Sequence, residues 1–293
     1  MFSHRATGKL DFGLLATGSW PEATRAHLGV AKPFASMIAS FSTTRARLVA
    51  AFTLLAAALT ASSSSQPETS APIEPAEFNF VRLAYTASGF NFQRRERWLT
   101  DWPDAERYLL GGVRRLTRID AAEEGIFMSV MDERLFDYPW LYAVEVGGWE
   151  LNEMEAARLR DYLLRGGFLM VDDFHGSREW AGFVEVMRRV FPDRTIVDVP
   201  RNDPIFHVAY DLDDASQIPG IQFVYTGVPY EQDGFEPHWR GIYDDHGRLM
   251  VIINHNMDLG DAWEHADVPE YALQYTTRAY QYAINYILYA MTH

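Results

Sequence analysis

From Phe78 onward, short apolar runs alternate with longer stretches of helical periodicity. A chain patterned this way builds a largely parallel sheet covered by helices on both faces, because each strand must be followed by a crossover before the next one can lie beside it. Strands are expected at Phe78–Tyr85, Gly125–Met131, Leu141–Val146, Phe168–Val171, Arg194–Val199 and Leu249–Asn254, with shorter ones at Ile221–Thr226 and Phe206–Asp211. Helices fit between them. Asp104–Leu116 carries Ala105, Tyr108, Leu109, Val113 and Leu116 at helical spacing. Asn152–Arg165 opens on an Asn-x-x-Glu capping box (Asn152, Glu155) and stops at Gly166-Gly167. Glu179–Phe191 is amphipathic and ends at Pro192, with Ser177 read as a cap, and the aromatic segment Tyr271–Met291 is expected to pack on the sheet.

The N-terminal part has a different character. Arg45 and Arg47 precede Leu48–Leu59, twelve residues with only Thr53 polar, and the small residues Thr60–Ser65 follow. Basic segment, short apolar stretch and small-residue exit are the parts of a secretory signal peptide, with a cut expected near Ala61. An uncleaved membrane anchor over residues 48–59 is the alternative, although a span needs about 20 apolar residues. Residues 37–61 are therefore read as signal or anchor, with Met37 a candidate translation start and residues 1–36 an upstream extension. Residues 62–77, rich in Ser, Pro and Glu, read as a flexible linker, and residues 78–293 as one α/β domain. The expected destination is periplasmic or secreted, with the membrane touched only if the apolar segment stays attached.

Composition removes several chemistries. The chain has no cysteine, so disulfides, thiolate metal sites and a Cys nucleophile are excluded. Its only lysines are Lys9 and Lys32, which leaves the region beyond Pro33 without a Schiff-base amine or a phosphate-loop lysine. Residues 1–61 hold 6 of the 26 Lys and Arg but only 2 of the 40 Asp and Glu, so the remainder carries a formal charge of −18. Such a surface repels phosphate backbones, and no nucleic-acid partner is expected.

In a parallel sheet the ligand face lies at the carboxyl ends of the strands. Residues just past each predicted strand are the ones to collect: Asp132, then Trp149 after Gly147-Gly148, then Asp172, Asp173 and His175, and finally Asn254, His255, Asn256, Asp258 and Asp261. Asp172-Asp173-x-His175 is the sharpest of these. Adjacent carboxylates and an imidazole can bind a divalent cation or act as an acid/base pair, but neighbours on a strand point to opposite sides, so both reach one ion only if the chain has turned. One Asp capping the next helix is the plainer role. The run His255–His265 matches neither a zinc-protease nor a calcium-loop pattern and also suits a turn bonded by its own side chains. His207 reads as a structural histidine, and most of the tryptophans as core.

Asp101-Trp-Pro-Asp-Ala105, Tyr138-Pro-Trp-Leu-Tyr142, the stretch Leu159–Phe174, Asp203-Pro-Ile-Phe-His207 and Asn256–Glu264 resemble the signature blocks of domain-of-unknown-function family 4159, over essentially Phe78–His293. The resemblance implies a flavodoxin-like sheet similar to the class I glutamine amidotransferase-like group, and no reaction. Amidotransferases need a nucleophilic Cys at a strand-to-helix elbow. This chain has none, and no Gly-x-Ser-x-Gly replaces it.

Three functions stay open. The first is an exported module binding a small polar ligand or an envelope protein at the strand ends, without a resident cofactor beyond an optional divalent cation. The second is a hydrolase or isomerase of carbohydrate-like substrates using Asp172, Asp173, His175 and His255. The third is a structural component of a cell-envelope complex.

Overall fold

A computed structural model of the chain describes residues 76–87 and 96–293. The upstream extension, the signal or anchor segment and the linker up to residue 75 lie outside the described residues. Among the described residues no helix is long and apolar enough to cross a membrane. Glu77, the last linker residue, is already tied to the fold, since its N–H donates to the Asp120 carbonyl at 2.8 Å.

Among the described residues nine strands and six α-helices follow in the order β1 (Val81–Leu83), β2 (Thr86–Ala87), α1 (Asp104–Leu116), β3 (Ile126–Met128), β4 (Trp140–Val144), β5 (Trp149–Glu150), α2 (Glu153–Leu164), β6 (Phe168–Asp172), α3 (Gly176–Val190), β7 (Val197–Asp198), α4 (Gln222–Thr226), β8 (His238–Tyr243), β9 (Leu249–His255), α5 (Leu259–Glu264) and α6 (Leu273–Thr292). Seven strands form one sheet in the order β3-β1-β4-β6-β9-β8-β7, while β2 and β5 pair separately. The first five run parallel, and β8 and β7 add an antiparallel edge. Numbered as they occur along the chain, the parallel strands lie 2-1-3-4-5.

The two faces follow from the period of two along each strand. Trp140, Tyr142 and Val144 of β4, with Phe168 and Met170 of β6, pack against Leu109 and Val113 of α1 and Tyr282 and Tyr286 of α6. Leu141, Ala143, Leu169 and Val171 point the other way, onto Leu159 of α2 and Phe183 and Met187 of α3. Each Leu, Val, Phe or Met among them, taken fully out of water, contributes about 1.5–3 kcal/mol. The mostly parallel α/β sheet read from the sequence is therefore present.

Several local expectations need correction. Ile221–Thr226 is not a strand; Gln222–Thr226 forms a short helix that ends at Gly227, whose φ of 69° suits glycine. Phe206–Asp211 is not a strand either, because Asp203 caps a 3₁₀ turn over Pro204–Phe206 by accepting from Ile205 N–H. Ser177 does not cap α3. The residue before that helix is His175, and Asp233 from a distant loop accepts from both the N–H and the hydroxyl of Ser177, at 2.8 and 2.6 Å. Strand β8 and helix α5 were not anticipated.

Candidate functional site

The site is built where β6 and β9 end. Asp172, the last residue of β6, continues the parity of Phe168 and Met170 and so faces α5. Its Oδ2 accepts from the N–H groups of Leu259 and Gly260 at 2.8 and 3.0 Å and from the Tyr142 hydroxyl at 3.2 Å. Its Oδ1 is buried without a hydrogen-bond partner. Burial, and then the neighbouring charge of Asp173, push the Asp172 carboxyl up to about 8 against the pull of these donors.

Asp173 takes a left-handed backbone, φ 46°, and its N–H leaves the ladder to donate to the Met257 carbonyl at 3.1 Å. The turn that the sequence required for both carboxylates to share a region is thus made here. Asp173 meets Asp258, which caps α5 by accepting from Asp261 N–H at 2.8 Å, and Asp101, also left-handed at φ 64°. One carboxylate oxygen from each of Asp101, Asp173 and Asp258 lies within 4.8 Å of the other two. The three come from a 3₁₀-flanked turn, the end of β6 and the start of α5.

Asp101 is held from behind. Arg82, fully buried on β1, donates to the Trp98 carbonyl at 2.9 Å and to that of Thr100, pairs with Glu106 of α1, and lies over the Tyr142 ring at 5.1 Å. Glycine at 260 makes room for the carboxylate, since a Cβ there would sit 2.5 Å from Asp101 Oδ2. That oxygen is buried and has no hydrogen-bond partner. Burial first, then the charges of Asp173 and Asp261, hold the Asp101 carboxyl well above the usual carboxylate range; for Asp258 the causes are burial, Asp173 and Asp261.

His175 sits beside Asp173, with Nε2 at 3.2 Å from Asp173 Oδ1 and 3.9 Å from Glu231 Oε1. Burial alone would lower this imidazole, but the hydrogen bond and charge of Asp173, with Glu231 and Glu179 behind, lift it to about 8. Its backbone N–H donates to Glu179 Oε2 at 2.8 Å. Glu145 closes the rim with a left-handed φ of 57° and pairs with Arg97 at 2.8 Å; burial and then Asp173 raise it to about 8.

The remaining nominated residues divide clearly. Asp261 borders the cluster, with Oδ2 accepting from Ile221 N–H at 2.6 Å and Oδ1 at 3.4 Å from His265 Nε2. His255 belongs to a different environment. Its Nδ1 faces Arg240 at 3.1 Å and its Nε2 the Gly176 carbonyl at 3.2 Å, and the ring packs 4.9 Å from both Phe174 and Trp180. Burial drives it down to about 3, so it is a neutral structural histidine rather than an acid/base partner of Asp173. Asn256, at φ 64°, accepts from Gly176 N–H and donates to the Glu236 carbonyl, and Asn254 accepts from the Tyr286 hydroxyl. Asp132 caps a 3₁₀ turn and pairs with Arg134 at 2.8 Å, and Trp149 is core against Tyr85 and Phe183. Neither Asp132 nor Trp149 joins the acidic cluster.

Asp101, Glu145 and Glu231 were missed by the sequence reading. Asp101 follows a 3₁₀ turn and not a strand, so collecting strand-end residues passes over it; its only signal is the Asp-Trp-Pro-Asp block in which it stands. Chemically the pocket offers an all-oxygen donor set and one carboxylate–imidazole pair. The Tyr142 hydroxyl donates to Asp172 and the Ser177 hydroxyl to Asp233. A separate groove of about 610 Å³ between α1 and α6, walled by Tyr108, Arg115 and Tyr280, contains none of these acids.

The model of the family described as Domain of unknown function (DUF4159) matches residues 79–291, and the chain belongs to that family. Among curated proteins, none matches the sequence.

Proposed function

We propose that this protein is an exported ligand-binding domain of flavodoxin-like topology, whose acidic pocket at the carboxyl ends of β6 and β9 takes a small polar ligand carrying positive charge or several hydrogen-bond donors. The topological part is supported by the 2-1-3-4-5 order of the parallel strands, the order of flavodoxin-like sheets. The binding part rests on one observation: carboxylates from three separate segments converge, and one of their oxygens, Asp101 Oδ2, is buried without a partner. A buried acceptor without a partner costs about 1–3 kcal/mol, and a ligand that donates to it recovers that cost. Binding ranks above catalysis because the chain has neither a cysteine nor a Gly-x-Ser-x-Gly elbow. Export is carried by the apolar segment Leu48–Leu59 and is tested by N-terminal sequencing of the protein recovered outside the cytoplasm.

The test is a thermal-shift panel of neutral polyols, amino sugars, polyamines and divalent cations on the full chain. A ligand present at 100 times its Kd stabilises the folded state by about 2.7 kcal/mol, enough to move the melting point by several degrees. Asp258→Asn should abolish the shift. A panel that moves neither protein would defeat the proposal.

A second reading is favoured by the 3.2 Å contact between His175 Nε2 and Asp173 Oδ1. An imidazole held protonated beside a carboxylate can donate a proton as a general acid, which suits a hydrolase of carbohydrate-like substrates. Glycoside turnover that survives His175→Gln unchanged would count against it.

A further inference from the structure

We propose that the pocket holds one hard divalent cation of the Mg²⁺, Mn²⁺ or Ca²⁺ type, coordinated by Asp101, Asp173 and Asp258. The inference rests on the reading of this pocket as a ligand site and names what that ligand is.

Size is the first argument. Oxygens on opposite sides of one ion are about 4.2 Å apart at Mg²⁺ bond lengths and about 4.6 to 5.2 Å apart at Ca²⁺ lengths. The three donor oxygens lie within 4.8 Å of one another, so a single ion can span them with small side-chain adjustments. Donor chemistry is the second. The ligands are all carboxylate oxygens and the chain has no thiol, which selects hard cations over soft ones.

One unsatisfied atom gives further support. Asp101 Oδ2 is buried with no hydrogen-bond partner, and its carboxylate belongs to the convergent set. Asp172, 0 % exposed, stands outside that set, with its Oδ2 fixed by Leu259 and Gly260 N–H. Asp172 thereby anchors the backbone from which Asp258 is presented, so it acts as a positioning residue and not as a ligand. The charge balance points the same way. Among the described residues no arginine forms an ion pair with Asp101, Asp173 or Asp258; Arg82 acts on Asp101 only through space, and His175 Nε2 lies 3.2 Å from Asp173 Oδ1 and 3.9 Å from Glu231 Oε1. Three closely spaced carboxylates taken from water need a compensating charge or protons, and a divalent ion supplies the former.

The full chain, stripped with EDTA and dialysed, is titrated with Mn²⁺ while free Mn²⁺ is followed by electron paramagnetic resonance, and Mg²⁺ and Ca²⁺ are added as competitors. The expected result is one Mn²⁺ per chain, with affinity lowered at least tenfold in Asp101→Asn and again in Asp258→Asn. Asp214→Asn, which removes an acid paired with Arg278 elsewhere on the surface, should bind as the wild type does. Melting curves of each variant verify that it folds, and the wild-type stoichiometry stands as evidence even if one variant does not. Absence of stoichiometric Mn²⁺ binding, or equal binding by the asparagine variants, would overturn the proposal. If amines or polyols still stabilise the wild type while Mn²⁺ does not bind, the cation fails and the polar-ligand reading survives. If neither binds, both fail.

Discussion

Arg82 shows how one residue can serve the core and the site together. Its guanidinium is fully buried, paired with Glu106, stacked near Tyr142 and bonded to two carbonyls of the turn leading to Asp101. Removing one member of such a pair leaves an uncompensated charge in the interior, which costs about 3–5 kcal/mol. Glu106→Ala should therefore lower the urea-derived unfolding free energy by about that amount, whereas Arg82→Met combined with Glu106→Leu should restore most of it. His255 gives a prediction of opposite character. Its folded value is about 3 against 6.5 for a free imidazole, so as pH falls through this window the unfolded chain gains a proton that the folded chain refuses. The wild type consequently loses stability over that range. His255→Phe, which preserves the stack on Phe174 and Trp180, should lose less, and the difference between the two unfolding free energies should shift toward the variant between pH 6.5 and pH 3.

Elements with strong local signals were legible from sequence, and those defined by distant partners were not. Helix α1 spans Asp104–Leu116 as its periodicity required, and α2 carries the reciprocal capping box at Asn152 and Glu155. Asn152→Ala should cost about 1 kcal/mol in equilibrium denaturation, since it frees the N–H groups of Met154 and Glu155. Strand β8 escaped notice because His238, Arg240 and Tyr243 dilute its apolar content; its pairing with β9, and not its own pattern, makes it a strand. Helix α5 escaped because its Asp and Gly residues also describe a turn, and the distant Asp172 from β6, bonding its first N–H groups, helps decide for the helix. The acidic pair on β6 was visible for a local reason, its place at a strand end. Asp101 was not, because its approach depends on Arg82 and Gly260, each remote in sequence.

At the scale of the molecule, stability is concentrated in the middle of the sheet. Strands β4, β6 and β9 are covered on both faces and bonded on both edges, while β7 is two exposed residues paired only with β8. Native-state hydrogen exchange should find the slowest amides in β4 and β6 and rapid exchange in β7, because opening the centre requires global unfolding and opening the margin does not. Uniform protection across all seven strands would contradict this gradient. Asp173 and Asp258 stand immediately after β6 and immediately before α5, next to the protected centre of that gradient, while Asp101 reaches them from a turn.

The buried bond between Arg82 and Glu106 also leaves a mark on inheritance. Neither residue can drift alone without stranding its partner's charge, so descendants of this chain should keep both or exchange both in close succession. A lineage that had replaced the pair with hydrocarbon would have surrendered the tether on the turn before Asp101, and an altered residue at 101 is the companion change to seek there.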